Sequence, residues 1–283
     1  MSAPAAAEPR LLAVLGDPVA HSLSPAMHTA AIEALGSAAR YVALRTTHRA
    51  FPTLVRELLA AGGACNVTSP FKDDAFALEG EHTPSAMRTH SVNPIWGDPD
   101  HPGLDNTDVS GIRDAARVLM AGAAVQVARI FGTGGAARAA AAAIVDEWPH
   151  ALVRIVSRTP SRAMGFVRWA SEAGVHCEVA PPVGIDREDL HVNATRKPER
   201  ESTRAADVSP DPDFAPARPK AFLDLNYGQG ETALVQAYRH VGVPAIDGRS
   251  VLVGQGAAAF ERFFGRPAPL AVMRAAVEDA LRP

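Results

Sequence analysis

At 283 residues, with a formal net charge of −3 and 47% hydrophobic residues, the chain is long enough for two α/β domains. It carries no extended basic stretch, which argues against nucleic acid or an acidic membrane as partner and for a small molecule. No run approaches the roughly 18 apolar residues of a membrane helix, and the opening MSAPAAAEPR lacks the order of a secretory signal, so a cytoplasmic location is expected. Cys65 and Cys177 lie far apart and without metal-ligand spacing; no disulfide and no metal is expected, and both read as small buried residues.

Strand-like and helical patterns alternate from the start. LLAVLG (11–16) reads as a strand, Pro25 to about Leu35 as a helix, YVALRT (41–46) as a strand and about Ala50 to Ala61 as a helix, which is α/β order. Gly62-Gly63 stops the second helix and Ala64–Val67 resumes a short strand. Thr68-Ser69-Pro70-Phe71-Lys72-Asp73-Asp74 follows, a lysine just past a turn with two carboxylates behind it. Taken alone such a lysine is a solvated surface residue. The stretch 97–103 (GDPDHPG) reads as a surface turn.

A second α/β unit begins with a helix near 109–121 and the strand VQVARIF (125–131), then a glycine-rich turn, an alanine-rich helix, the strand ALVRIVS (151–157) and another helix. Apolar runs at 175–179, 190–194 and 221–225 supply further strands, and the charged, proline-rich stretch from Arg196 to Lys220 reads as a long loop. Histidines are scattered; His21, His28 and His90 suit a site, although surface or core positions are expected for them.

The turn Gly132-Thr133-Gly134-Gly135-Ala136 fits G-x-G-x-x-A between a strand and a helix. Glycines there allow a tight bend and close backbone approach to a pyrophosphate, which the helix N-terminus then meets with free amides. The next strand ends in Ser157-Arg158-Thr159, where an NAD site would place an acid for the ribose hydroxyls. An arginine beside hydroxyls suits a 2′-phosphate, so NADP is the expected cofactor.

Taken together, several stretches resemble the shikimate dehydrogenase family, in that family's order and almost from end to end: GDPVAHSLSPAMH (16–28), CNVTSPFK (65–72), LDNTD (104–108), GTGGAARA, SRT (157–159) and DGRSVLVGQGAAAFERFFG (247–265). The resemblance implies an N-terminal α/β substrate domain over 1–108, a doubly wound Rossmann-type NADP domain over 109–248, and C-terminal helices (249–283) returning to the first domain. It implies Lys72 and Asp108 as the catalytic pair, and Ser22 and Ser24 on the substrate carboxylate, with Ser24 also suiting a helix N-cap before Pro25. It further implies Thr68, Asn93, Tyr227 and Gln255 at the substrate, and Thr195 and Gly248 at the cofactor with the turn and the SRT triplet. The implied reaction is reversible reduction of 3-dehydroshikimate to shikimate, a step toward chorismate and the aromatic amino acids, by a monomer or homodimer.

Two features depart from the family pattern. Pro94 stands where a threonine is usual after Asn93, removing a hydroxyl and a backbone donor. The segment opening as Asn193-Ala194-Thr195 continues Arg196-Lys197-Pro198-Glu199-Arg200, without the family's glycine and methionine. Alternatives therefore stand beside the main expectation: a relative acting on an aminoshikimate- or quinate-like analogue, or a silent homologue sensing a shikimate-like ligand.

Overall fold

The computed structural model describes residues 10–180, 188–195 and 218–282, so the part of the expected loop over 196–217, with Arg196 and Lys197, lies outside the described residues. The chain divides into two compact units. The first runs to Thr107 and resumes at Val253–Ala280; the second holds Asp108–Leu252.

The first unit contains β1 (Leu11–Gly16), α1 (Ser24–Leu35), β2 (Arg40–Arg45), α2 (Phe51–Ala60), β3 (Ala64–Val67), α3 (Lys72–Phe76), β4 (Glu81–His82), α4 (Pro84–Thr89), β5 (Pro94–Asp98) and β6 (His101–Leu104). Its sheet runs β2-β1-β3-β5-β6-β4, with β1 parallel to β2 and β3, and β5 antiparallel to β3 and β6. The all-apolar β1 is buried along almost its whole length, as a central parallel strand covered on both faces must be. On one face Leu15, Phe51, Leu59, Phe71, Ile95 and Leu104 form a continuous core. The stretch read as a surface turn at 97–103 is mostly the β5–β6 hairpin, with only the link between Asp98 and His101 outside the strands. Alternation there is short and broken by prolines, which hid both strands.

The second unit contains α5 (Asp108–Met120), β7 (Val127–Phe131), α6 (Gly135–Glu147), β8 (Leu152–Val156), α7 (Pro160–Glu172), β9 (Cys177–Val179), β10 (Leu190–Asn193), β11 (Ala221–Asp224), α8 (Ala233–His240) and β12 (Ala245–Ile246). The order β12-β11-β10-β7-β8-β9 is wholly parallel, so the chain winds outward from β7 in one direction and then from β10 in the other. This is the doubly wound dinucleotide-binding order, with a switch point between β7 and β10. In α6 the alanines 139–143 are all buried, and their small side chains let α5 and the sheet approach closely. Helix α9 (Arg249–Phe264) starts in the second unit and ends in the first, where α10 (Leu270–Ala280) packs on α1.

A charged cluster sits inside the second unit. Glu188 is bidentate with Arg129 on β7 (2.6 and 2.9 Å), lies 3.4 Å from Arg154 on β8, and accepts from His191 Nε2 at 2.8 Å. His191 Nδ1 meets the Tyr238 hydroxyl at 2.9 Å, and Arg154 also pairs with Glu178 at 2.8 Å. Burial alone would raise the Glu188 carboxyl, but the hydrogen bonds from His191 and Arg129 and the guanidinium charge outweigh it and hold it at about 2. Of the cysteines, Cys65 is buried as expected, whereas Cys177 is only partly so, on β9, which among the described residues is an edge strand. Among the described residues no helix is long and apolar enough to cross a membrane and no group of side chains could hold a metal ion.

Candidate active site

In the first unit the candidate residues gather where the parallel strands β1 and β3 end, the place where α/β sheets bind ligands. Thr68 directly follows β3; its amide donates to Leu15 O (2.8 Å) and its carbonyl accepts from Phe71 N (3.1 Å). Its methyl lies against Gly16, where any side chain would collide with it. Lys72, partly buried, is the first residue of α3, and its carbonyl accepts from Val92 N at 3.1 Å, so the segment before Asn93 is tied to it. Beside it Asp74 binds His48 Nδ1 at 2.5 Å, which gives the second carboxylate of the segment a partner of its own.

Ser22 and Ser24 sit together at the start of α1, the Ser22 hydroxyl accepting from Ser24 N at 3.3 Å. The expectation that Ser24 caps this helix is corrected: Leu23 is the N-cap, with no side-chain hydrogen bond, and Ser24 is the buried first helical residue. Its hydroxyl faces the Tyr41 phenol, where it works against the rise that burial imposes on that group. Pro25, next in the chain, has no N–H for a cap to satisfy.

Asn93 is the centre of the amide arrangement. Its Oδ1 accepts from Thr107 N (2.8 Å) and Thr107 Oγ1 (3.3 Å), which forces its Nδ2 to the other side, where it donates to Gln255 Oε1 at 3.1 Å. The bond order fixes both amide orientations, so Gln255 turns its Nε2 away from Asn93. The next residue, Pro94, opens β5, and its carbonyl accepts from Asp105 N at 3.2 Å while Asn93 N donates to Asp105 O at 2.9 Å. The proline's missing donor thus falls between two bonds that still hold the 104–108 segment.

Beside these residues lies a buried group of which sequence reasoning singled out only His28, and it missed Tyr41 and Asn66. The His28 ring stacks on Tyr41 (4.4 Å between centroids), and Asn66 Nδ2 reaches the Tyr41 hydroxyl at 2.8 Å and His28 Nε2 at 3.4 Å. Among the described residues, Asn66 Oδ1 and His28 Nδ1 find no hydrogen-bond partner, although both are buried. Asn66 lies two residues before Thr68 in the quoted CNVTSPFK stretch, and that position was the available signal. His21 and His90 are exposed. Burial pushes His28 down to about 3 from 6.5. Because the unfolded chain then binds a proton that the folded one refuses, stability falls as pH drops below about 6.5, by up to about 1.4 kcal/mol per pH unit until the folded value is reached. Urea unfolding followed from pH 7 to pH 4 is expected to show this slope, reduced in His28→Phe.

In the second unit the candidates line the ends of β7, β8, β10 and β11. Gly132 has φ +108° and its amide donates to Val156 O at 3.0 Å; a side chain there would press on the Ala194 carbonyl. Gly134 is the N-cap of α6 with no side-chain cap bond, nothing crowds its missing side chain, and Gly135 and Ala136 open the helix. Ser157 accepts from Thr159 N (3.2 Å), and Arg158 stands exposed between them. Arg162, in the first turn of α7, is a further exposed cation that sequence reasoning missed, though the three-residue spacing from Thr159 was legible.

Thr195 follows β10 and is held by Asn193 Oδ1, which accepts from its hydroxyl (2.6 Å) and amide (3.2 Å). Asp224 at the end of β11 accepts from Asn193 Nδ2 (2.9 Å), Asn226 N (3.0 Å) and Thr232 Oγ1 (2.7 Å), and the Asn226 carbonyl in turn accepts from Gly248 N at 2.9 Å. Gly248 packs against the Leu225 carbonyl so closely that only glycine fits. Tyr227 follows Asn226, and burial raises its phenol above the usual value. Asp108 is the first residue of α5, where the helix N-terminus favours a negative charge.

Comparison with known proteins decides the family. Residues 14–95 match the shikimate dehydrogenase substrate binding domain and residues 248–278 the shikimate 5'-dehydrogenase C-terminal domain. The NADP(+) shikimate dehydrogenase of Natronomonas pharaonis is 36% identical over 95% of this chain and 98% of its own length. The chain belongs to the shikimate dehydrogenase family. The enzyme of the same name from Cupriavidus necator is 34% identical over 94% of this chain and 93% of that relative. Among solved structures, shikimate 5-dehydrogenase of Thermus thermophilus in complex with NADP(H) and shikimate superposes with a TM-score of 0.78 at 32% identity, covering 96% of this chain and 99% of that one. The chain pairs a unit that contains the match to the substrate binding domain of the shikimate dehydrogenase family with a doubly wound one.

Proposed function

We propose that the protein is an NADP-dependent shikimate dehydrogenase that interconverts 3-dehydroshikimate and shikimate. The observation that carries this reading is the oriented Asn93–Gln255 amide pair at the strand ends that also carry Thr68 and Lys72. Amides of fixed polarity and a nearby hydroxyl can discriminate ring hydroxyls, because a substrate lacking one leaves a site group unpaired. The Ser22 and Ser24 pair serves the carboxylate.

The second unit fits a dinucleotide: the uncapped start of α6, the cramped Gly132 and the open Gly134 leave backbone donors for a pyrophosphate. Arg158 and Arg162 supply charge for a 2′-phosphate where an NAD site would need an acid. Bound NADP supplies or accepts the hydride at its nicotinamide ring. Lys72 and Asp108 serve the proton, which must leave or reach the substrate oxygen as the carbon changes oxidation state. Tyr227 acts at the substrate, and Thr195 and Gly248 at the cofactor.

Gly132→Ala is expected to raise the dissociation constant for NADPH by about tenfold or more, because the positive φ and the Ala194 carbonyl both oppose a side chain. Fluorescence titration measures it, and an unchanged constant would remove the turn from the cofactor site. The function itself is tested by kcat/KM on shikimate, quinate and aminoshikimate, each with NADP+ and NAD+. Preference for shikimate with NADP+ is expected; preference for quinate or the amino compound would transfer the reading to a specialised relative.

A further inference from the structure

We infer that Arg262 and Asp105 form a clamp that positions the substrate-binding amides, an inference that rests on the proposed role of Asn93 and Gln255. Asp105 is 4% exposed, and three donors crowd its Oδ1: Thr83 Oγ1 (2.5 Å), Ser85 Oγ (2.6 Å) and Asn106 N (2.7 Å). Its Oδ2 accepts from Arg262 Nε at 3.1 Å. The guanidinium also lies over the Trp96 ring, 5.6 Å from its centroid, and that ring rests on Gly103 of the paired strand, where a side chain would strike it. The arginine is therefore held by a carboxylate at its edge and an aromatic face beneath it.

Arg262 lies seven residues after Gln255 on α9, so the two project from one face of the helix, about 10 Å apart along its axis. Each grips the same short segment. Gln255 reaches it through Asn93 and Thr107, Arg262 directly through Asp105. Buried Ala259 and Phe260 seat α9 by apolar contact, which is not directional, and the two polar attachments add direction by fixing its rotation and its register along this segment. Gln255 Nε2 and Asn93 Nδ2 are then held at one separation and one angle. Displacements well under a helical turn matter here, since misplacing a binding group by about 1 Å can cost on the order of a hundredfold in rate. Arg262 touches neither reacting atoms nor substrate in this account and acts only as a positioning residue.

The test compares wild type, Arg262→Ala, Arg262→Lys, Asp105→Asn and the Arg262→Ala/Asp105→Asn double variant, reading KM for shikimate, KM for NADP+, kcat and thermal midpoint. Arg262→Ala is expected to raise KM for shikimate by about tenfold with KM for NADP+ unchanged, Arg262→Lys to restore part of the loss, and the double variant to be no worse than the poorer single one. A role in stability alone would lower the thermal midpoint and leave KM for shikimate at the wild-type value, and that result overturns the clamp. Hydrogen exchange of the segments 104–108 and 253–264 gives a readout independent of turnover: faster exchange in Arg262→Ala supports the clamp and unchanged exchange overturns it. Should wild type itself fail to oxidise shikimate, the substrate reading falls, and the exchange result still decides the clamp.

Discussion

Lys72→Ala is expected to lower kcat for shikimate oxidation by a factor on the order of 10² to 10⁴, the usual worth of a positioned acid–base group. KM for NADP+ should stay near the wild-type value, because the cofactor candidates lie on other elements. The fold should tolerate the change. Lys72 is only partly buried at the first position of α3, and what it gives the local structure is its backbone carbonyl, which accepts from Val92 N whatever the side chain. A thermal midpoint within a few degrees of wild type, beside nearly absent turnover, separates loss of chemistry from loss of fold. Lys72→Met, similar in length, should behave the same way. A Lys72→Ala protein retaining a tenth or more of wild-type kcat would remove Lys72 from the proton's path.

Glu188→Ala is expected to destabilise the second unit by about 3 to 5 kcal/mol, because it strands the guanidinium of Arg129 inside the protein without a counter-charge. Side chains at 8% and 3% exposure leave no route by which water could replace the lost carboxylate. Arg154 suffers less, since Glu178 remains as its partner. Glu188→Gln keeps the shape and two acceptors' worth of geometry only in part, and should fall between wild type and alanine. Converting Arg129 and Glu188 together to methionine should recover much of the loss, as replacing both members of a buried pair by apolar groups of like volume usually does. Urea unfolding at pH 7 measures all four proteins. The pH dependence has a definite sign: a carboxyl held at about 2 when folded stabilises fully above its ordinary value of 4.5, and that stability is lost as pH falls from there toward 2. Equal stability of Glu188→Ala and wild type would mean that the cluster contributes nothing.

Much of the second unit was legible because its signals are local. The strand–glycine turn–helix around Gly132 and the apolar strands either side of it announce both their type and their order. The β5–β6 hairpin was not legible: Pro94 and Pro102 break the alternation that marks strands, and burial against Leu104 and Ile95 overrides that weak propensity. Ser24 shows the limit of a local rule, since a serine before proline suits a cap, but Leu23 takes the cap position and Ser24 is buried in the first helical turn. The Asn93–Gln255 contact joins residues 162 apart in sequence, and the Arg262–Asp105 pair joins residues 157 apart. No spacing rule reaches that far. The buried charges on β7, β8 and β10 were likewise invisible, because Arg129, Arg154 and His191 interrupt apolar strands at positions that composition alone would expose.

NADP-dependent oxidation of shikimate stands or falls on the initial rate of NADPH formation from shikimate and NADP+ by the wild-type protein, with NADP+ binding established beforehand by fluorescence. Rapid, saturable NADPH formation is expected, far faster than NADH formation from NAD+ under the same conditions. A folded protein that binds NADP+ and yet forms no NADPH from shikimate would contradict that activity.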